Sequence, residues 1–556
     1  MKKMNKLFVL LLLVSMVLMG CSKSGDTVVV VPDGEETDTD QAGTTEKPAE
    51  VDIWGKYEEP VEVELAVFLP GDIKFPEGDS FENNIWTRLY KEELNVDVKF
   101  KWVAQTWEVY EQKMNIDIAA GDLPDIFWVI PENMYKLNES GSLANLTEAY
   151  NAYLIDTYKD LLEVDDYLEK SSSADGKLIA MPEKPLQMDA TTVWLREDYL
   201  DAVDADVPTS YEELLELART ISKKDVSGSG TFGLPLNNTL TLADGLFAAH
   251  GVNPRAWISD GEGGIVFGGI QEEAKQVLAD LAALYAEGVI DPEFVIKGDG
   301  AVFGDLTAGK FGILAHKTWN PFWPLNQMVT DEHAVKWIPI NMPSVGGGEA
   351  PGFINAKGNG RFVVNKEYEH PEVLMKMMNV AWKYLGVDSE DASIDYHSPD
   401  GIVQFKLSIF NYYTPIGTNG IIARGVAKAL EQGSIEGSGL NELNQNYYIE
   451  SKKYLGGEIS GTTWANWAIY NSEGSAIQEL ALYESGNIKY DEMFWTPGEM
   501  YASKWSTLSK LQETTYTKII MGEESIDAFD TFVEDWKALG GDDITLENNE
   551  IYKSYN

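Results

Sequence analysis

The chain has one cysteine, Cys21, in 556 residues. No intrachain disulfide can form, so the fold rests on its apolar core, and a chain of this length can build one. Histidine is scarce as well, at five. Without a Cys/His cluster there is no basis for a zinc or haem site, and no cofactor is expected. Basic side chains are few, 43 against 90 acids, leaving a formal net charge of −47. Such a surface repels phosphates, which excludes a nucleic-acid partner and argues against broad docking on anionic lipid. The apolar run Leu7–Met19 is too short for a comfortable membrane span of about 20 residues. No Gly-x-Ser-x-Gly nucleophile motif occurs, and Gly346-Gly347-Gly348 is not followed by Gly-Lys-Ser/Thr, so there is no P-loop.

Apolar residues make up 44% of the chain and aromatics 11%, enough for a packed core. The 16 tryptophans are the unusual item in the composition. Exposed indole faces suit sugar rings, although most tryptophans in any fold serve the core. The length predicts two or more domains of about 100–200 residues.

Lys2, Lys3 and Lys6 precede the apolar run, which closes on Leu18-Met19-Gly20-Cys21. This is the layout of a secretory signal over residues 1–20. Its ending resembles a bacterial lipobox, which implies a lipidated Cys21 at the mature N-terminus. Residues 21–58 read as an acidic, flexible linker. About 35 such residues span on the order of 30 Å root-mean-square, and charge repulsion extends them further.

The folded part opens on Val61-Glu62-Val63-Glu64-Leu65-Ala66-Val67-Phe68, whose alternation predicts a strand. A helix follows over about Phe81–Leu94, then a strand over Val96–Trp102. A second helix over Tyr110–Ala120 stops at Gly121, and a buried strand covers Asp125–Ile130. Strands separated by helices at this spacing predict βαβ units and a mostly parallel sheet. Asp125 reads as a cap or turn acceptor, and Trp382 as core.

Ala120-Gly121-Asp122-Leu123-Pro124-Asp125-Ile126-Phe127-Trp128 and Gly176-Lys177-Leu178-Ile179-Ala180-Met181-Pro182 resemble two signatures of the extracellular solute-binding family that includes maltose-binding protein. Val193-Trp194-Leu195-Arg196-Glu197-Asp198-Tyr199-Leu200 is similar to the strand entering its second lobe. Pro208-Thr209-Ser210-Tyr211-Glu212-Glu213-Leu214 matches the helix start that follows, with Thr209 or Ser210 as N-cap and two acids at the positive helix end. The likeness continues through Ala308–Leu314, Phe353–Ala356 and Phe362–Asn365. The stretch from Lys518 to Gly541 resembles the Gram-positive lipoprotein subgroup.

This resemblance implies an α/β fold of two lobes joined by chain crossings, with a ligand cleft between them. It divides the chain into lobe 1 at 59–190, lobe 2 at 191–352, a return to lobe 1 at about 353–425, and mainly lobe 2 and C-terminal helices over 426–556. It also implies a monomeric, lipid-anchored binding subunit of an ABC importer, on the outer face of the cytoplasmic membrane. Such a subunit would deliver an oligosaccharide to permease subunits and perform no chemistry.

Site residues are carried over by position. Trp128 resembles a sugar-stacking tryptophan, but Pro131 and Glu132 stand where the family member has a polar pair. Trp319 resembles a second stacking tryptophan, with Trp323 beside it. Its neighbours His316, Lys317 and Asn320 give that segment an exposed character, and Asn320 and Glu132 join the candidate ligand residues. Asp72 matches a hydroxyl-binding aspartate. Gln187 and Asp189 follow the Pro182 crossing, where a carboxylate is expected. Trp505 or Trp495 supplies an aromatic from the C-terminal segment, while Trp464 and Trp467 have no motif support as cleft residues. Asp225-Val226-Ser227-Gly228-Ser229-Gly230-Thr231 lies where some relatives carry a calcium loop. Serines replace the expected asparagines and no terminal acid follows, so it reads as a turn.

Two other readings remain open. One is a binder of peptide or another solute, or a receptor coupled to a sensor kinase, since fold alone does not give function. The other is a secreted glycoside hydrolase, although ninety acids make carboxylate pairs unavoidable by chance.

Overall fold

The computed structural model describes residues 51–556, apart from 70, 72, 330–335, 356–359, 400–401, 411–412, 494, 496 and 556. Cys21 and Asp72 therefore lie outside the described residues.

The first lobe is built on strands β1 (Val61–Phe68), β2 (Val96–Ala104) and β3 (Ile126–Val129). Both β2 and β3 pair parallel to β1. Strand Arg361–Val364 adds antiparallel to β3, and Met181–Pro182 closes the sheet. Alternation explains why these segments are strands. Val63, Leu65 and Val67 enter one core and Ala66 enters the core on the opposite face. A sheet covered on both faces needs apolar residues in both registers.

Helices α1 (Ile85–Leu94) and α2 (Trp107–Ala120) make the crossovers. Helix α1 starts later than its sequence suggests because Asn84 caps it, accepting from the N–H groups of Trp86 and Thr87. Helix α2 starts earlier, capped by Thr106, and ends on Gly121 at φ 67°, a left-handed conformation that favours glycine. Helix α3 (Pro131–Glu139) follows β3, with proline in its first turn. Asp125 accepts from the N–H of Glu64 on β1, 61 residues away, so its carboxylate ties two strands together and is not the expected cap or turn acceptor.

The second lobe departs from the parallel expectation. Its central strand, Thr192–Arg196, lies antiparallel to both Ile313–His316 and Trp337–Asn341. Val193 and Leu195 face one core and Trp194 another, so this strand too is buried on both sides. Each fully buried Val, Leu or Phe in these cores contributes about 1.5–3 kcal/mol. Helix Tyr211–Lys224 is capped by Ser210, which accepts from the Glu213 N–H.

Three short strands lie side by side where the chain passes between the lobes. Gly352–Asn355 is central, antiparallel to Gln187–Asp189 and parallel to Ile488–Tyr490. Helices between Thr418 and Ser485 gather a further core around Ala423, Val426 and Ile469. That group ties to the end of the first lobe through Asn441 on the Val387 carbonyl, and to the second through Ser475 on the Thr318 carbonyl. Helix Glu499–Ile520 packs on the second-lobe core and touches α3 of the first lobe.

Candidate binding site

The carboxyl ends of β1, β2 and β3 converge on an aromatic cluster. Phe68 ends β1, and Trp107 opens α2 just beyond β2. Their rings stack at 4.1 Å and 24°. Trp107 also lies 4.9 Å from Trp128, yet remains 41% exposed, so part of its indole is open to solvent. Trp128 is held firmly. The Tyr110 hydroxyl donates to its carbonyl at 2.8 Å and accepts from its N–H at 3.1 Å. Its indole N–H donates to Glu183 at 2.7 Å, and the same carboxylate oxygen accepts from the Gly360 N–H at 3.1 Å. A Cβ at Gly360 would fall 1.8 Å from the Trp128 ring, so only glycine permits this approach. Trp107, Trp128 and Glu183 border a cavity of about 290 Å³ with Phe405 and Phe410. Ligands of open α/β sheets bind outside strand carboxyl ends, which is where this cavity lies.

Two further cavities meet at the crossing strands. One, of about 450 Å³, is lined by Gln187, Asp189, Lys317, Trp319, Asn355 and Glu479. The other, of about 350 Å³, includes Asp189, Asn355, Asp244, Arg255, Asp491 and Trp505. Asp189 and Asn355 belong to both, so the two cavities share a wall formed by the hinge strands.

The electrostatics of this region are paired. Lys317, just past the strand Ile313–His316, makes an ion pair with Asp189. Arg255 pairs with Asp244 and donates to the Thr239 carbonyl at 2.8 Å. Burial raises the Asp244 carboxyl, Arg255 and Lys317 draw it down, and Asp189 pushes it up. Burial is also the main cause that lifts Glu479 to about 7. The Asp189 charge adds to it, opposed by Lys317 and by a hydrogen bond from Thr318.

The structure brings Gln187, Asp189 and Trp319 together, and links Trp505 to them through Asp189. Trp319 is 42% exposed. Trp505 is half-buried, stacked on Tyr501 at 4.7 Å and edge-on to Phe267. Gln187 donates to the carbonyls of Leu186 and Thr414. Trp128 lies in the separate aromatic cavity. Trp323 is exposed but packs edge-to-face on Phe303 and lines none of the three cavities.

Asn320 departs from its expected exposure. It is fully buried, accepting from the Lys317 N–H at 2.7 Å and donating to the Trp323 carbonyl at 3.3 Å. It builds the turn that presents Trp319. His316 meets Trp319 edge-on at 5.6 Å, and burial, helped by the Lys317 charge, lowers its pKa to about 4. Glu132 sits in the first turn of α3 and lines none of these cavities. Burial raises the Tyr501 phenol first, and the charges of Glu132 and Asp491 add to it. Trp464 and Trp495 are core residues, Trp467 packs at a tilt against Tyr454, and Trp382 packs partly buried against the first-lobe core. Asp225 accepts from the N–H groups of Gly230 and Thr231 and from the Thr231 hydroxyl, closing the loop as a turn.

Trp107, Glu183, Arg255, Asp244 and Glu479 are absent from the sequence-based set. Trp107 had a usable signal, an aromatic at a helix start directly after an alternating strand. Glu479 had none, because the groups that set its charge, Asp189, Lys317 and Thr318, lie more than a hundred residues away.

A model described as bacterial extracellular solute-binding protein matches residues 74–386. Lipoprotein LipO of Bacillus subtilis (strain 168) is 23% identical over 483 residues, covering 82% of this chain and 86% of LipO. Two solved structures share the fold. The fructo-nystose complex of an EF-hand mutant of the S. pneumoniae ABC-transporter substrate-binding protein FusA aligns at TM-score 0.59 and 14% identity, covering 89% of this chain and 99% of that one. The alginate-binding protein AlgQ2 aligns at 0.58 and 16%, covering 91% and 100%.

Proposed function

Because this chain belongs to the bacterial extracellular solute-binding protein family, we propose that it captures an oligosaccharide between its lobes and delivers it to the permease of an ABC importer, without turnover. The observation that carries this reading is an exposed indole, Trp319, beside carboxylates at the crossing strands, with a second exposed indole, Trp107, in the first-lobe cavity. Trp107 and Trp319 are each two-fifths exposed, and Trp319 shares a cavity with Asp189 and Glu479. Sugar rings present apolar C–H faces to stack on indoles and hydroxyl groups that donate to carboxylates. The ligands named for FusA and AlgQ2 are carbohydrates, in keeping with this choice. Hinged lobes turn ligand contacts into closure, which buries most of the ligand. Ligand residues in this reading are Trp107, Trp128, Trp319, Gln187, Asp189 and Trp505. Asn320 serves as a support for Trp319.

No helix among the described residues is long and apolar enough to cross a membrane. We propose a lipid on Cys21 as the anchor, in keeping with the lipoprotein name of LipO. Mass spectrometry of the mature N-terminus then finds an acylated Cys21, and an unmodified terminus elsewhere refutes the anchor.

The function is tested by a thermal-shift screen against a glycan panel, followed by calorimetry and product analysis. A ligand that raises the melting temperature by mass action and is recovered intact is the expected result. Cleavage products would identify a hydrolase instead. A response to peptides alone would refute the carbohydrate reading.

A further inference from the structure

We infer that the ligand of this cleft is an uncharged oligosaccharide and not a uronate, an inference that rests on the carbohydrate reading above and narrows its substrate class. The two cations at the crossing strands are already engaged. Arg255 is committed to Asp244 and the Thr239 carbonyl, and Lys317 to Asp189. Both are the kind of group that would receive a ligand carboxylate, and each already has one from the protein. A uronate would have to displace Asp189 or Asp244, parting a partly exposed carboxylate from its counter-charge, an unfavourable exchange that solvent screening moderates at each pair.

The remaining charge in the crossing cavities adds to the case. Glu479 is a third half-buried carboxylate beside Asp189 and lies within reach of the Lys317 charge that Asp189 already occupies. Asp491 spends its carboxylate on the N–H groups of Trp257 and Met493. Lys184 and Lys406 also border the cavities but are exposed, and an ammonium in water attracts an anion only weakly. A polyuronate carries a charge on every ring. It would approach a chain of formal net charge −47, whose field disfavours its encounter.

The same groups suit a neutral glycan well. Carboxyl oxygens accept hydrogen bonds whether the group is ionised or protonated. Asp189, Asp244 and Glu479 thus offer acceptors to hydroxyl groups, which are the donors a neutral sugar carries in number. Trp107 and Trp319 supply faces that need no charge on the ring.

Calorimetry of the intact protein at physiological ionic strength tests this with matched tetramers. Fructotetraose, maltotetraose, xylotetraose and galactotetraose form the neutral set; tetragalacturonate and tetramannuronate form the charged set. At least one neutral tetramer should bind, with both uronates weaker by about tenfold or more. Asp189→Asn should narrow that gap by about threefold, since it frees Lys317 and replaces a charged acceptor with a weaker amide oxygen. A uronate that binds as tightly as the best neutral tetramer, with affinity falling steeply as salt is added, overturns the inference and leaves the carbohydrate reading standing. If no glycan of either set binds while a peptide pool shifts the melting temperature, the carbohydrate reading fails and the inference goes with it.

Discussion

Lys317 and Asp189 form an ion pair that joins the end of a second-lobe strand to a strand of the hinge. Their side chains are 30% and 42% exposed, so water screens the attraction without abolishing it. A double-mutant cycle of Lys317→Met and Asp189→Asn, read by thermal unfolding, should return a coupling of about 0.5–1 kcal/mol. Strictly additive effects would mean that the pair does not couple hinge to lobe.

Trp319 and Trp323 separate in their expected contributions. Both are about two-fifths exposed, but only Trp319 lines the cavity that contains Asp189. Trp319→Ala should weaken glycan binding by about 1–3 kcal/mol, the range for stacked aromatics at a binding centre. Trp323→Ala should change it by less than about 0.5 kcal/mol, since its ring packs on Phe303 outside that cavity. Equal losses by calorimetry would place both rings on the ligand.

Gly360 and Trp128 offer a steric test. Gly360→Ala sets a methyl group into the indole ring, and the ring has little room to move because Tyr110 fixes its backbone and Glu183 its N–H. The substitution should lower stability by about 1–3 kcal/mol, as overpacking does. It should also shift the tryptophan emission. An unchanged melting temperature would show that Trp128 yields easily and is not a rigid platform.

What was legible in the sequence follows from range. The alternation of Val61–Phe68 and the serine at 210 act within one strand or one helical turn, so strand and cap are found where they were expected. The antiparallel sheet of the second lobe was not legible. Thr192–Arg196 pairs with residues more than a hundred positions away, and nothing local encodes that direction. The candidate site divides in the same way. Trp319 and Asp189 stand beside recognisable segments. Asn320 was misread as exposed because a short polar run looks solvated until its turn is closed by the run's own amide.

Glu479 gives a pH dependence whose sign can be worked out. Its folded value is about 7, above the 4.5 of an unperturbed glutamate. The folded protein thus holds this proton more tightly than the unfolded chain. The contribution to stability is full below about pH 4.5, declines as pH rises, and is gone above about pH 7. At about pH 8 the ionised carboxylate sits half-buried against Asp189, and Glu479→Gln should raise stability by an amount on the order of 1–3 kcal/mol relative to the parent. Near pH 4.5 the parent carries a neutral acid at this position, so the amide and the acid should melt close together. Thermal unfolding of both proteins at the two pH values decides the matter. A stability difference that stays constant with pH would remove Glu479 as the titrating group and assign the difference to packing alone.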